Sequence, residues 1–452
     1  MRVPPPLLRR GWLLLWLAIA IALVARATSR RESKGVILDH LEFGRRLLHG
    51  EDVYGPWKSD PDAPIRPLHA PYPPSFGLLT MPFAAIDAAL GTRAARAAWA
   101  LLQLGCLLAA ALALRSLTTP RAPPDKSPPA ARFWQLLWLG TFALGLRFVL
   151  RDMHGGGGNI VNLGLCLGAF WLAERRHARP AGLLLAFSLV TKPTQLWLLP
   201  VFWLLGHRRT LGWTIAGGAL FVLVTALLQR FELAPWWRWI EGSWRLGTQA
   251  DPFAVPALDF PPFEWMNQSL RCALARWFGT VPDEFAARVA LGVAPGMGWP
   301  QAAVAWLVRL CSLAALLLVL GTARRVREQP AARLWLFASA LVLSVLLSPL
   351  SWKAHHVALL PTLFLLLQRA ATAKPARGWL VVLLTGWAVC CLPGGDLVGD
   401  DRSEWLNSLY VVTASDIALL LATALIAWRL TNSAPHEHDD AAARAGGGEL
   451  VG

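Results

Sequence analysis

Stretches such as "GWLLLWLAIAIALVARAT" (11–28) and "CSLAALLLVLGTA" (311–323) recur along this chain. A run of about 18 or more apolar residues with few charges is long enough to cross a bilayer. Inside lipid, every backbone N–H and C=O must find a partner within the protein. Many such runs therefore restrict the fold to an all-α polytopic membrane bundle. The composition agrees, with 55% hydrophobic residues and 24 Trp in 452 residues, against about 45–50% apolar residues in a soluble domain.

A net charge of +15 ordinarily suggests an anionic partner. In a membrane protein, Arg- and Lys-rich cytoplasmic connections account for it first, so we expect no nucleic-acid partner. The six cysteines, at 106, 166, 272, 311, 390 and 391, have neither disulfide-framework nor zinc-site spacing. They read as small core residues, and no metal or cofactor is expected.

Twelve crossings are predicted, at about 11–28, 93–115, 133–150, 159–174, 180–191, 194–206, 211–230, 299–323, 332–348, 356–370, 378–392 and 409–429. The first is read as an uncleaved helix, although Ala25-Arg26-Ala27 resembles a signal-peptide cleavage site. Starting inside, alternate connections carry Arg121/Lys126/Arg132, Arg175/Arg176/Arg179, Arg208/Arg209, Arg324/Arg325/Arg327, Lys374/Arg377 and Arg429. The short connections on the other side carry only Arg151, Lys192, Lys353 and Arg402. This is the positive-inside asymmetry. It implies cytoplasmic termini and an outer, periplasmic or extracellular, face on the inner (plasma) membrane.

Two segments need separate treatment. "PPSFGLLTMPFAAIDAAL" (73–90) is broken by Pro82 and Asp87, and counting it as a crossing would invert the charge asymmetry downstream. We read it as a helix at or dipping into the outer face. "GLLLAFSLVTKPTQLWLLPVFWLL" is interrupted at Lys192-Pro193, because Pro lacks an N–H and disfavours helix in the residue before it. Its two halves are short for a hydrocarbon core of about 30 Å, and such half-height helices line cavities. Residues 1–430 then form one domain, with long outer segments at 29–92 and 231–298. The tail 431–452 reads as disordered, and its His436, His438, Asp439 and Asp440 as solvated rather than metal-binding.

Polar groups converge on the outer face. In "ILDHLEFGRRLLHGEDVYGPWKSDPDAPIRPLHAPYPP", Leu38, Leu41, Phe43, Leu47 and Leu48 predict an amphipathic helix on the membrane surface. Asp39 opens it. An acid there favours the helix dipole, or serves as a general base toward an acceptor hydroxyl. Tyr72, between prolines, is either an interfacial anchor or a stacking surface for a sugar. Lys192 lies at the tip of the broken pair, where a Lys is costly and usually functional. "SPLSWKAHH" (348–356) places Lys353, His355 and His356 at the mouth between two spans. It is either an interfacial helix cap or an anion site for a phosphate leaving group. Adjacent histidines point apart on a helix, so at most one is expected to face a ligand. "GGGG" (155–158) is not a nucleotide fingerprint, since no strand precedes it. An acid, cations and aromatics at the outer leaflet suit chemistry on a lipid phosphate, and polyprenyl-phosphate sugars are donors present on that side.

Four stretches together resemble glycosyltransferase family 87, polyprenol-phosphate-mannose-dependent mannosyltransferases of the GT-C fold. They are "LDHLEFGRRLLHGEDVYGP" with "YPPSFGLLTMP", the 158–209 segment from "GNIVNLGLCLG" through "TKPTQLW" to "GHRR", "NQSL" (267–270) and "SPLSWKAHH". The resemblance implies a GT-C-type bundle acting as an inverting hexosyltransferase of the cell envelope. A sugar, mannose foremost, would pass from a polyprenyl-phosphate donor to a hydroxyl of a glycolipid or glycan acceptor, without a metal. It makes Asp39 the catalytic base, and sets Lys353, with His355 or His356, against the donor phosphate. Lys192 and Asn162 would line the same cavity, Lys192 within phosphate reach. Tyr54, Tyr72, Asn159, Asn267 and Trp352 stand in the matching stretches and are expected around the substrate. The family's Gly-Gln ahead of its Asn is replaced here by a Gly run with Asn159-Ile160, which leaves Asn159 and Asn162 as alternatives. A transporter or flippase of lipid-linked sugars is the non-enzyme alternative. It would be expected to bury acids mid-span, whereas the clear in-span acid here is Asp416, near one end. A ligase using lipid-diphosphate donors would be expected to carry Arg-rich outer sites instead of a carboxylate base.

Overall fold

The structure, a computed structural model, describes residues 5–29, 36–57, 66–67, 72–118, 128–249, 251–254, 263–373 and 377–432. The readings placed on the tail 433–452, on Arg121 and Lys126, and on Lys374 lie outside these residues.

A helix stands at each expected crossing. α1 (Pro5–Thr28) is followed by the flanking helices α2 (Val36–His49) and α3 (Phe76–Leu90), then by α4 (Thr92–Thr118), α5 (Pro128–Gly155) and α6 (Asn159–Glu174). Between α2 and α3, the two-residue strands β1 (Pro56–Trp57) and β2 (Arg66–Pro67) pair antiparallel. α7 (Ala178–Thr191) stops at Lys192, a 3₁₀ turn follows at Pro193–Gln195, and α8 (Leu198–Leu204) returns. α9 (Arg208–Leu228) leads to three short helices, α10 (Ala234–Thr248), α11 (Leu270–Phe278) and α12 (Asp283–Ala286). Then come α13 (Gln301–Val326), α14 (Pro330–Leu347), a 3₁₀ segment Lys353–Leu359 and α15 (Leu360–Thr372). α16 (Arg377–Cys391), the short α17 (Gly395–Val398) and α18 (Asp400–Ser408), and α19 (Val411–Asn432) complete the chain. Among the described residues, α1, α4, α5, α9, α13, α14 and α19 are long and apolar enough to span a bilayer, while α3, α6, α7 and α16 are shorter apolar helices.

The bundle wraps around α14, in which every residue from Leu334 to Leu346 is buried. Its outer helices turn apolar side chains outward, including Leu101 and Leu108 of α4, Ile215 and Leu223 of α9, and Leu313 and Leu317 of α13. That pattern is what a hydrocarbon solvent dictates. At one end, Glu174 of α6 takes Arg333 of α14 at 2.7 Å and His207, just before α9, at 3.0 Å. This end also carries Arg175, Arg208, Arg324 and Arg325. At the other end, Arg26 of α1 meets Asp396 of α17 at 3.0 Å, and His154 Nδ1 lies 3.0 Å from the Arg26 carbonyl. The polar loops gather at this second end.

One expectation changes here. α2 is amphipathic, as its spacing predicts, but its apolar face is not laid on lipid. Phe43 and Leu47 are fully buried with Phe76 of α3, and Ile37 and Leu41 with Trp99 of α4. Glycines permit this: a Cβ at Gly44 would lie 2.6 Å from the Thr80 backbone, and one at Gly77 2.5 Å from Leu47. Small residues let helices approach this closely. α3, the helix expected at or dipping into the outer face, is the floor on which α2 rests.

Candidate active site

The α5–α6 corner sets the first wall of the site. Asp152, near the end of α5, accepts from the Ile160 N–H at 2.9 Å and from Asn159 Nδ2 at 2.6 Å. A carboxylate is favoured there by the unsatisfied N–H groups and positive end of α6. Two of the four glycines now have a reason. Gly156 adopts φ +74°, and a Cβ on it would lie 2.4 Å from Ile37 Cβ. A Cβ on Gly157 would sit 2.0 Å from Asp152 Oδ1. The Gly157 carbonyl is held by Trp99 Nε1 at 3.0 Å and Gln103 Nε2 at 2.6 Å. Sequence reasoning missed Asp152, and the glycine run beside it was the available signal.

The broken pair forms the second wall. Asn162, one turn into α6, donates to Gln195 Oε1 at 2.7 Å, Thr194 Oγ1 at 3.1 Å and the Lys192 carbonyl at 3.3 Å. Its Oδ1 accepts from the Ser188 hydroxyl. The two asparagines therefore differ. Asn159 belongs to the Asp152 cap, and Asn162 clamps the turn that presents Lys192. Both amides are buried and spent on protein partners.

Lys192 is 4% exposed, and its ammonium lies over the Tyr72 ring at 5.1 Å. Burial pulls its pKa down to about 8, opposed by the charge of Asp152. Tyr72 stacks on Phe76 at 4.1 Å and meets His40 edge-on at 5.3 Å. Its phenol is pushed above its ordinary pKa by burial first, then by the charges of Asp152 and Asp39. One aromatic ring thus stands within electrostatic reach of two carboxylates and in contact with one ammonium. Asp39 is half-buried in the first turn of α2. Its neighbour His40 is buried among Tyr72, Phe76 and Trp99, and burial and Lys192 lower its pKa to about 3, so it is neutral.

Tyr54 does not face this pocket with its hydroxyl, which donates to the Tyr72 carbonyl at 2.6 Å. The loop holding it is built outward from α2. Glu42 anchors Arg46, and Arg46 donates to the carbonyls of Asp52 and Pro56 at 3.1 and 2.6 Å. Asp52 Oδ1 in turn accepts from the Tyr54 N–H at 3.0 Å. The segment from Gly50 to Tyr54 is a strut for Tyr72.

The third wall is the 348–356 corner. Asn267 and Trp352 form an antiparallel bridge, and Asn267 Oδ1 accepts from the Ser351 N–H at 2.8 Å. Asn267 Nδ2 donates to the Pro349 carbonyl at 3.0 Å. "NQSL" is therefore the partner that shapes "SPLSW", and Asn267 is a buried support. The two histidines diverge. His356 turns into the core, its Nε2 2.9 Å from Asp416 Oδ2 and its ring stacked on Phe148. His355 lies within electrostatic reach of Lys192; burial, followed by Lys192 and His356, holds its pKa well below the ordinary value. His355 Nδ1 accepts from the Trp352 N–H at 3.1 Å, which leaves Nε2 to carry the proton of the neutral ring. Lys353 stands apart from Lys192. Its electrostatic neighbours are Arg147, Arg151 and Glu404, and burial with the two guanidiniums brings its pKa down to about 7.

Lys192 contacts the Tyr72 ring and lies within electrostatic reach of Asp152 and His355, Asp39 lies within electrostatic reach of Tyr72, and Lys353 keeps to a separate cationic patch. His356, Asn159, Asn162, Asn267 and Tyr54 are spent on holding these walls. Among the described residues no group of three or more His, Cys, Asp or Glu side chains is placed to hold a metal ion. Such an arrangement is able to take a proton from a hydroxyl on one side and to stabilise a departing phosphate on the other.

No curated protein and no solved structure matches the chain. The sequence model of glycosyltransferase family 87 matches residues 70–349, from just before Tyr72 to the edge of the 3₁₀ corner. Lys192, Asn162 and Asn267 lie inside that match, Asp39 and His355 to either side of it. With more than half its length matched, the chain belongs to glycosyltransferase family 87.

Proposed function

We propose that this glycosyltransferase moves a hexose, mannose foremost, from a polyprenyl-phosphate sugar to a hydroxyl of a lipid-linked or glycan acceptor. It works with inversion, on a GT-C-type scaffold, at the outer face of the plasma membrane. The Arg- and Lys-rich end of the bundle supports the orientation, since it carries the connections that the positive-inside rule assigns to the cytoplasm. The observation that carries the reading is the buried Lys192, whose ammonium lies over the Tyr72 ring at 5.1 Å.

In this reading Asp39 takes the proton of the acceptor hydroxyl as its oxygen bonds to the anomeric carbon. The bond from that carbon to the phosphate oxygen breaks, and the electron pair leaves with the phosphate. Lys192 supplies a positive charge to that phosphate. His355 stays neutral in this reading and contributes a polar surface beside Lys192, not a charge. Lys353 adds a second cation from its own patch. Opposed charges fixed in a buried site cost little reorganisation as charge develops, which is where such stabilisation is strongest.

Mass spectrometry of glycolipids and glycans from a strain lacking this chain tests the reading. One species short of a single hexose is expected, with its precursor accumulating. An unchanged glycan profile together with altered distribution of a lipid-linked sugar across the membrane would replace transfer with transport.

A further inference from the structure

The arginine-rich end of the bundle carries a surface that the chemistry at the other end does not use. The turn from α6 into α7 supplies Arg175, Arg176 and Arg179, and the start of α9 supplies Arg208 and Arg209. The two helix starts lie side by side, since a Cβ on Gly182 of α7 would sit 2.5 Å from the Thr210 carbonyl oxygen of α9. All five arginines are exposed. Glu174 is the only acid in 171–179 and 203–213, and it is taken by Arg333 and His207. Three of the arginines lie on indoles: Arg175 over Trp171 at 4.5 Å, Arg208 over Trp203 at 5.0 Å and Arg179 over Trp213 at 5.3 Å. Ser116 of α4 fixes the first pair, accepting from Trp171 Nε1 at 3.0 Å and from the Arg175 guanidinium at 2.5 Å. Trp203 and Trp213 are 54% and 41% exposed, as are Leu220 and Leu223 farther along α9 at 51% and 49%, so these indoles stand on the side of the bundle that faces lipid.

We infer that this corner holds the headgroups of anionic phospholipids in the leaflet at the arginine-rich end. Each pair stacks a flat cation on an indole, the side chain that sits where lipid tails meet headgroups. The indole covers one face of the guanidinium, and the edge keeps the N–H fork that matches two phosphate oxygens. A guanidinium is weakly hydrated, so passing it from water to a phosphate costs less than for an ammonium. The exposed indoles decide between a lipid and a soluble anion. A soluble anion meets the guanidiniums and leaves Trp203 and Trp213 uncovered, whereas a phospholipid lays its chains on the indoles and its phosphate on the cations. The uncompensated charge selects among lipids, because a zwitterionic headgroup brings a second cation to a site that is already cationic. The surface is separate from Lys192 and Asp39, so it seats and orients the bundle without entering sugar transfer, and it holds whichever donor the chain uses.

The test uses the full chain in phosphatidylcholine vesicles, with phosphatidylglycerol or phosphatidylcholine spin-labelled on an acyl chain. Electron spin resonance reads the fraction of label immobilised on the protein. Phosphatidylglycerol is expected to associate about fivefold or more strongly than phosphatidylcholine, the scale of one guanidinium at an anionic headgroup. Replacing Arg175, Arg179 and Arg208 together by Gln is expected to abolish that preference. Lys at the same three positions keeps the charge, and with it the orientation of the chain, but offers no planar fork; it is expected to lose most of the preference as well. Gln at Arg324, Arg325 and Arg327 removes equal charge from the same end and is expected to leave most of it. An undiminished preference in the Lys variant, or equal losses in the two Gln variants, would show a diffuse field instead of a seat and overturn the inference. Release of the immobilised phosphatidylglycerol by inorganic phosphate at constant ionic strength would make the ligand a soluble anion and overturn it too.

Discussion

Replacing Lys192 by Met removes the charge and keeps an unbranched apolar stem of similar length. Two consequences follow from the structure. The fold loses the contact of the ammonium with the Tyr72 ring at 5.1 Å, worth about 1–2 kcal/mol when desolvated. Asp152 loses its countercharge but keeps the Ile160 N–H and the Asn159 amide and the positive end of α6. The stability loss should therefore stay near 2–3 kcal/mol, below the 3–5 expected for a buried charge left alone. The chemistry loses one charged hydrogen-bond donor to the leaving phosphate, about 1.5–3 kcal/mol. That is roughly ten- to hundredfold in kcat/KM. Sugar transfer from a polyprenyl-phosphate sugar in vesicles, with thermal unfolding of the same preparation, reads both numbers. The pH profile separates them. Lys192 is cationic below about 8, so its contribution is present at neutral pH and lost as pH rises through that value. The variant should lose the limb near 8 and keep the one that Lys353 sets near 7. A Lys192→Met protein within twofold of the unaltered kcat/KM, or one retaining the limb near 8, would remove Lys192 from the phosphate site.

Three further outcomes are expected. His355→Ala should raise the donor KM with little change in unfolding temperature. His356→Ala should lower that temperature, since it strands Asp416 in the core at a cost of about 3–5 kcal/mol, and leave the donor KM of the folded fraction unchanged; the opposite pattern would exchange their roles. Gly157→Ala forces a Cβ within 2.0 Å of Asp152 Oδ1, so it should disrupt the α6 cap and reduce folded yield, whereas Gly105→Ala, with open space around it, should not. Tyr54→Phe removes the bond to the Tyr72 carbonyl at a cost of about 1 kcal/mol, and should lower kcat/KM through Tyr72; unaltered activity would show that Tyr72 needs no such strut.

The bilayer made much of the fold legible in advance. Its thickness imposes run length, so helices, seven of the described ones long and apolar enough to cross, and the break at Lys192-Pro193 stand where the apolar pattern puts them. The site was legible as a set of residue types at one end of the helices, which drew attention to Asp39, Lys192 and the 348–356 corner. Its contacts were not. His356 is separated from Asp416 by 60 residues, and nothing local announces that pairing. Asp152 carries no motif in the sequence because its partners are the Ile160 N–H and the amides of Asn159 and Gln103, which only the fold brings together. "NQSL" and "SPLSW" were both noticed, yet the bridge joining them is a pairing across 85 positions. α2 was read as resting on lipid because its amphipathic pattern does not say which apolar surface covers it; Gly44 and Gly77 were the clue that another helix does.

The account stands most directly on Asp39. Purified chain and its Asp39→Asn variant, in vesicles with polyprenyl-phosphate mannose and a candidate acceptor glycolipid, should be compared for mannose transferred at saturating donor. The account predicts equal folded protein and equal retention of donor, with turnover reduced by about a hundredfold or more, as expected for loss of a general base. Near-equal turnover in the two proteins would contradict it.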